Sequence, residues 1–318
     1  MLDRSTIWPY EDGEPGEFYY QRYAHPSGVD AEQALGELEG GHALLFPSGS
    51  AATTALLLML LEPGRTLALA DDAYYGTGVL VRLLERWGIR LVEFDQTGAP
   101  PEGADLVWVE APSNPLLSMP DFEASAAYPA PFVCDSTAAT PVYLRPLERG
   151  ADFVMHSATK YLGGHHDILL GAVVCKQRHD HERLLELRSR TGIVAAPDAT
   201  WLLNRSLKTL RVRVERQTAT ATELARRLQA HPEVERLRYP GFGGLMSFDV
   251  AGGGDAARRV ETSTRLIKNA TSLGGVESVL ETRARWESGR VADSLVRLSV
   301  GLEDVEKLWA DLDRALRR

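Results

Sequence analysis

The chain has 318 residues, 44% of them hydrophobic and 25% charged, which excludes a disordered or low-complexity protein and allows a large core in roughly two domains. Its 35 lysines and arginines against 44 aspartates and glutamates leave a formal charge of −9, which speaks against nonspecific binding to nucleic acid or to an anionic membrane. Two cysteines, Cys134 and Cys175, stand outside any CxxC pair, and the longest apolar run, Ala55 to Leu61, falls far short of the roughly 20 residues a bilayer span needs. With no basic-then-apolar segment at Met1 to Ser5, the expectation is a reduced, cytoplasmic protein.

Residues 1–25 hold Trp8, Tyr10, Phe18, Tyr19, Tyr20 and Tyr23 among acidic residues, prolines and glycines, with no period of 2 or 3.6. They read as a surface arm that packs on something else. Ala31 to Leu38 reads as a helix ended by Gly40-Gly41. Short β-like runs then alternate with helical stretches. The strands are expected at Ala43–Phe46, Thr66–Ala70, Arg90–Phe94, Leu106–Glu110, Phe132–Asp135, Phe153–His156 and Ala172–Cys175, and helices at Ser50–Leu61 and Thr77–Trp87. Several of the strands are continuously apolar, as strands covered on both faces are. The alternation predicts an α/β fold with a mostly parallel seven-stranded sheet. Asp198 to Ala230 reads as one long arginine-rich amphipathic helix. A smaller α+β region follows, with strands at Leu245–Val250 and Leu295–Val300 and helices at Asp255–Ile267 and Asp304–Leu316. The expected organisation is an arm at 1–25, a large domain at 26–200 and a small domain at 201–318.

Only five basic residues are lysines: Lys160, Lys176, Lys208, Lys268 and Lys307. Arginine-rich codon usage explains most of that bias, but it leaves few candidates for chemistry that needs an amine. Lys160 closes Ser157-Ala158-Thr159-Lys160 directly after a strand, where ligands bind in open α/β sheets. A lysine desolvated there and near other cations loses its proton readily and becomes a nucleophile toward carbonyls. Asp135 ends an apolar strand, as a turn cap or as a buried carboxylate held against a ring nitrogen. Ser48-Gly49-Ser50 opens a helix after a strand, which suits a phosphate, although serine and glycine also cap helices with no ligand at all. It is not a GxSxG elbow, so a serine hydrolase lacks its key feature. Together the three features describe a site for pyridoxal 5'-phosphate.

From about Tyr19 to the C-terminus the chain resembles the γ-subfamily of the Cys/Met-metabolism enzymes dependent on that cofactor. The family includes cystathionine γ-synthase, cystathionine γ-lyase, methionine γ-lyase and O-acetylhomoserine sulfhydrylase. The matching stretches include Tyr20-Gln21-Arg22, Leu38-Glu39-Gly40-Gly41, Asp72-Ala73-Tyr74-Tyr75-Gly76-Thr77, Glu110-Ala111-Pro112-Ser113-Asn114-Pro115, Asp135-Ser136-Thr137, His156-Ser157-Ala158-Thr159-Lys160-Tyr161, Ser272-Leu273-Gly274-Gly275 and Arg297-Leu298-Ser299-Val300-Gly301. The resemblance implies the fold type I of pyridoxal phosphate enzymes, similar to aspartate aminotransferase. It implies that Lys160 attaches the cofactor and moves protons, and that Tyr74 stacks on the ring and assists as acid or base. Asp135 would pair with the ring nitrogen, Thr137 would lie close to the ring, and Ser48, Gly49, Ser50, Ser157 and Thr159 would hold the phosphate. Asn114 would sit near the ring hydroxyl and the substrate carboxylate. Arg297 would clamp the α-carboxylate, helped by the backbone around Ser272. Tyr20 and Arg22 would reach the phosphate of a neighbouring subunit in a homotetramer built as a dimer of dimers.

The same resemblance implies a small amino-acid substrate, no nucleic-acid or membrane partner and no metal, since His165-His166-Asp167 matches a family stretch without a metal role. The expected reaction is C–S cleavage at the γ-carbon of cystathionine or methionine, giving a 2-oxo acid, ammonia and a thiol. The alternatives are a γ-replacement synthase and a binding protein that has lost catalysis. Intact Lys160, Asp135 and Arg297 argue against the last. Thr271, Tyr19, Tyr75, Gly76, Ser136 and the segment 282–288 depart from the family pattern around the distal pocket, so they bear on substrate choice rather than on cofactor binding.

Overall fold

The computed structural model describes residues 2–317. The arm carries only isolated bridges, Ile7 with Tyr20 and Glu11 with Glu14. Helix α1 (Pro26–Glu39) starts five residues earlier than its apolar period suggests. Pro26 supplies a preset φ in the first turn, and the His25 side chain accepts from the Gly28 amide. Gly40 ends the helix at φ +81°, a conformation that glycine adopts without strain.

The large sheet is assembled from β1 (His42–Phe46), α2 (Gly49–Leu60), β2 (Thr66–Ala70), α3 (Tyr75–Leu84), β3 (Arg90–Phe94), β4 (Leu106–Glu110), α4 (Phe122–Ala127), β5 (Phe132–Asp135), α5 (Thr140–Tyr143), β6 (Phe153–His156) and β7 (Gly171–Cys175). The strand order is β1-β7-β6-β5-β4-β2-β3, and the pairs among β3, β2, β4, β5 and β6 are parallel. Strand β7 is antiparallel to both β6 and β1. It alone runs against the sheet, and it brings Gly171 opposite Phe46 at the end where β1 stops. The apolar strands β2, β4, β5, β6 and β7 are buried along their whole length. The mostly parallel seven-stranded sheet is thus as the sequence implies.

Helix α6 (Arg178–Thr191) leads to α7 (Pro197–Leu207) and α8 (Leu210–Gln229). The single helix expected over 198–230 is in fact two. At Thr209 the backbone leaves helical geometry, with φ −114° and ψ 5°. Arg213 holds the break by donating to the Ser206 carbonyl at 3.0 Å and to the Thr209 hydroxyl at 3.1 Å. The break is short, so the amphipathic period survives it and conceals it. After α8 come β8 (Val234–Arg238), β9 (Leu245–Val250), α9 (Gly253–Ser263), β10 (Lys268–Asn269), β11 (Val279–Thr282), α10 (Ala284–Glu287), β12 (Leu295–Ser299) and α11 (Val305–Leu316). Their five strands form a second sheet in the order β10-β11-β12-β9-β8. Helix α9 stops four residues before the expected Ile267. The Asp311 carboxylate accepts the amides of Arg265, Leu266 and Ile267 at 2.8–3.0 Å, so these cannot continue the helical ladder. One apolar cluster runs from Leu35 and Leu45 through Leu203 and Val214 to Phe248 and Leu312, and joins the two sheets. No helix among the described residues is long and apolar enough to cross a membrane.

Candidate active site

The parallel strands β4, β5 and β6 end side by side, and Glu110, Asp135 and Met155 from their ends, with the start of α2, open onto a cleft of about 430 Å³. Helix α2 begins with Ser48 in an extended conformation, its hydroxyl accepting from the Ala51 amide at 3.1 Å. That cap leaves the first amides of the helix without an intrahelical acceptor at the positive end of its dipole. Gly49 lets α2 approach β6 closely there: a Cβ would stand 3.0 Å from the Cβ of Ser157, tighter than an ordinary van der Waals contact. Ser50, Ser157 and Thr159 line the same corner. Thr159 exchanges hydrogen bonds with the backbone of Leu170, at 3.1 Å to its carbonyl and 3.0 Å from its amide, and so fixes the entry to β7. This corner has the donors that a phosphate needs.

Asp135 ends β5, buried, with its Oδ1 accepting the Thr137 amide at 2.9 Å. Burial raises its pKa. It has no ion pair among the described residues, so a cationic ring nitrogen fits the position. The Thr137 hydroxyl accepts the Ser157 amide at 2.8 Å and ties the ends of β5 and β6 together. Glu110 ends β4 in register with Asp135, and its carboxylate accepts the Tyr74 amide. Burial, and after it the charge of Asp135, pushes its carboxyl well above the usual range. The reasoning that selects Asp135 at the end of an apolar strand selects Glu110 equally, but the sequence reading passed it over.

Lys160 lies in the middle of the cleft wall, its Nζ donating to Ser272 Oγ at 2.8 Å. Burial first, then the nearby Arg297, lowers its pKa to about 8. Ser272 is held at φ +96°, a strained value for a residue with a side chain. Its carbonyl accepts from Arg297 Nη2 at 3.0 Å. Arg297, central in β12 and buried, also donates from Nη1 to Asn114 Oδ1 at 2.8 Å. Burial lowers its pKa to about 10. Tyr74 precedes α3 and its ring meets Tyr75 edge-on at 4.9 Å. The ring lies over Gly76, where a Cβ would come within 2.4 Å of it.

Twelve of the fourteen residues expected at the site line this one cleft: Ser48, Gly49, Ser50, Tyr74, Asn114, Asp135, Thr137, Ser157, Thr159, Lys160, Ser272 and Arg297. Tyr20 and Arg22 do not. Arg22 donates to the Ser189 carbonyl and lies over the rings of Tyr20 and Tyr23, at 5.2 and 4.9 Å from their centroids. Among the other residues of the wall, Glu110 did not emerge from the sequence, and Tyr75, Arg283 and Trp286 emerged only as departures from the family pattern around the distal pocket. No group of three or more His, Cys, Asp or Glu among the described residues is placed to hold a metal.

Known proteins resemble this chain over nearly its whole length. The family described as Cys/Met metabolism PLP-dependent enzyme matches residues 3–317. A putative cystathionine γ-lyase of Streptomyces coelicolor is 39% identical over 96% of this chain and 85% of its own length. A cystathionine γ-synthase of Mycobacterium tuberculosis is 38% identical over 96% of this chain and 87% of its own. Among solved structures, apo CalE6, a methionine γ-lyase from Micromonospora echinospora, superposes with a TM-score of 0.94 at 36% identity, covering 99% of this chain and 93% of that one.

Proposed function

This chain belongs to the Cys/Met metabolism PLP-dependent enzyme family, and from that premise we propose that it cleaves the C–S bond at the γ-carbon of a sulfur amino acid, cystathionine or methionine, releasing a 2-oxo acid, ammonia and a thiol. The observation that carries the reading is the convergence of Lys160, Asp135 and Arg297 on one cleft, with the lysine depressed to about 8. Pyridoxal phosphate, when bound, supplies an aldehyde for the substrate amine and a ring that withdraws electrons from Cα. The chain does the rest. The amides at the start of α2, with Ser50, Ser157 and Thr159, hold the phosphate. Asp135 keeps the ring nitrogen protonated. Arg297 takes the α-carboxylate through its planar guanidinium, and Asn114 fixes that guanidinium from behind. The Lys160 amine, about half of it neutral at pH 8, would take the proton from Cα and, once that proton has been passed on, a second one from Cβ, so that the electron pair left at Cβ expels the γ-substituent. Tyr74 covers the ring and assists the leaving group at the γ-position. Tyr20 and Arg22, absent from their own chain's cleft, serve the phosphate of a neighbouring subunit in a dimer of dimers. Two free, buried cysteines are in keeping with a reducing cytoplasm.

Replacement at the γ-carbon uses the same residues and differs in what adds after the substituent leaves. The similarity to the mycobacterial γ-synthase supports that second reading about as well as the lyase relatives support the first. A panel of cystathionine, methionine, homocysteine and O-acylhomoserines separates them. Release of ammonia and 2-oxo acid without an added thiol supports cleavage, and turnover only with a thiol supports replacement. Lys160→Ala is expected to abolish both turnover and the visible colour of the purified protein. Retention of both would sink the assignment.

A further inference from the structure

One wall of the cleft carries charges that the reaction above does not use. Glu281 on β11 faces Arg297 across the β11–β12 ladder, Arg283 follows β11, and Glu287 ends α10. All four side chains are buried, between 2% and 5% exposed. Glu281 Oε1 accepts from Arg297 Nη2 and also from Arg283 Nη1 at 2.8 Å. Arg283 in turn donates from Nε at 2.9 Å, and from Nη2, to one oxygen of Glu287. Trp286 Nε1 donates to the second oxygen of Glu281 at 3.3 Å. Two guanidiniums and two carboxylates therefore share a dry wall with no net formal charge.

This arrangement poses a problem for the substrate. A protein carboxylate already occupies the guanidinium that is to receive the α-carboxylate. Two like charges on one buried cation repel strongly unless a second cation takes up one of them. Arg283 is placed to do so. We propose that Arg283 is a positioning residue: by sharing the charge of Glu281, with Glu287 aiming its guanidinium, it leaves Arg297 free to clamp the α-carboxylate of the substrate. Arg283, Trp286 and Glu287 lie within the segment 282–288 that departs from the family pattern, so the device belongs to this chain's own version of the wall. It rests on the reading of Arg297 as the carboxylate site.

The test is calorimetric binding of glycine to the holoenzyme. Glycine carries the amino-acid head and no γ-substituent, so the answer does not depend on which γ-reaction is catalysed. In Arg283→Gln, Glu281 has only Arg297 to pair with, and the Kd for glycine is expected to rise about tenfold. In the double variant Arg283→Gln/Glu281→Gln the competing charge is gone, and the Kd is expected to return to within about threefold of the parent. Glu281→Gln alone is expected to lower the Kd, since a neutral amide oxygen still accepts from Arg297. A double variant as weak as Arg283→Gln, or a Kd that rises in Glu281→Gln, overturns the proposal. Should Arg283→Gln fail to fold, as a melting curve would reveal, the sign of the Glu281→Gln change decides by itself. Arg297→Gln tests the premise separately: if it binds glycine as the parent does, the carboxylate site lies elsewhere and the reading beneath the proposal fails.

Discussion

The ammonium form of Lys160 has one hydrogen-bond partner, the Ser272 hydroxyl, and two arginines close enough to repel it. Its pKa falls from 10.5 to about 8, so folding favours the neutral amine. The sign of the linkage follows. Below about pH 8 the amine is charged in both states, and the full cost of burying the charge weighs on the folded chain. Between about 8 and 10.5 the unfolded chain binds more protons, so stability rises with pH. Cofactor-free Lys160→Met is therefore expected to be more stable than the parent at pH 7, by at most about 3 kcal/mol. That advantage should vanish toward pH 10.5, the ordinary lysine value. Denaturant titrations at the two pH values check it, and an advantage that does not change with pH would contradict the lowered pKa. Asp135 obeys the opposite rule: burial raises it, and only a cationic partner would bring it back down. Asp135→Asn is expected to keep the colour that Lys160 confers while kcat falls about a hundredfold or more. Stopped assays beside an absorbance spectrum separate the two effects, and an unchanged kcat would remove Asp135 from the reaction.

The corner we propose for the phosphate depends on how two elements meet, α2 and the reversed strand β7. Gly171 touches no ligand position, yet a Cβ there would stand 2.1 Å from the Ser48 carbonyl oxygen. Backbone cannot give way as a flexible side chain can, so Gly171→Ala is expected to shift the start of α2 and weaken cofactor binding about tenfold. Titration of the cofactor-free variant with pyridoxal phosphate measures the loss, and parent-like affinity would mean that this contact does not set the corner. Ser48→Ala removes the cap alone and should cost about 1 kcal/mol of stability. Elements buried on both faces were legible from the sequence because continuous apolar runs leave no other place for them: Thr66–Ala70, Leu106–Glu110 and Phe132–Asp135 fall where the runs fall. The same signal misses β11. Its run, Val279-Leu280, is cut short by Glu281, which is buried only because Arg283 and Arg297 meet it there. Periodicity cannot announce a charge that is paid for by residues 2 and 16 positions away. The cleft residues of the Ser-Gly-Ser and Ser-Ala-Thr-Lys turns, which we propose hold the cofactor, were readable in one dimension. The second layer around Arg297, made of cross-strand ion pairs, was not.

At the scale of the whole molecule the arm stands outside its own chain's cleft. It is tied to its own chain by Arg4 with Asp198 on α7 and by Arg22 with the Ser189 carbonyl on α6. Those ties hold Tyr20 41% exposed and outside the cleft. An arm that is anchored on its own chain and presents an exposed aromatic, with the Arg22 guanidinium packed against it, is suited to a second copy. If Tyr20 and Arg22 complete a neighbour's phosphate corner, each cleft is built from two chains, and two defects on different chains can complement each other. Lys160→Ala has no lysine in its own cleft but an intact arm to lend. Arg22→Ala keeps its lysine and lends a defective arm. Dissociated and reassociated at random in equal amounts, about half of the dimers are mixed, and each mixed dimer holds one complete site out of two. The mixture is therefore expected to recover about a quarter of the parent activity above what the two variants show alone. If the arm served its own chain, the mixed dimer would hold no complete site and the mixture would show only the average of its components. Full activity in Arg22→Ala by itself would remove the arm from the site altogether, and with it the need for the neighbour.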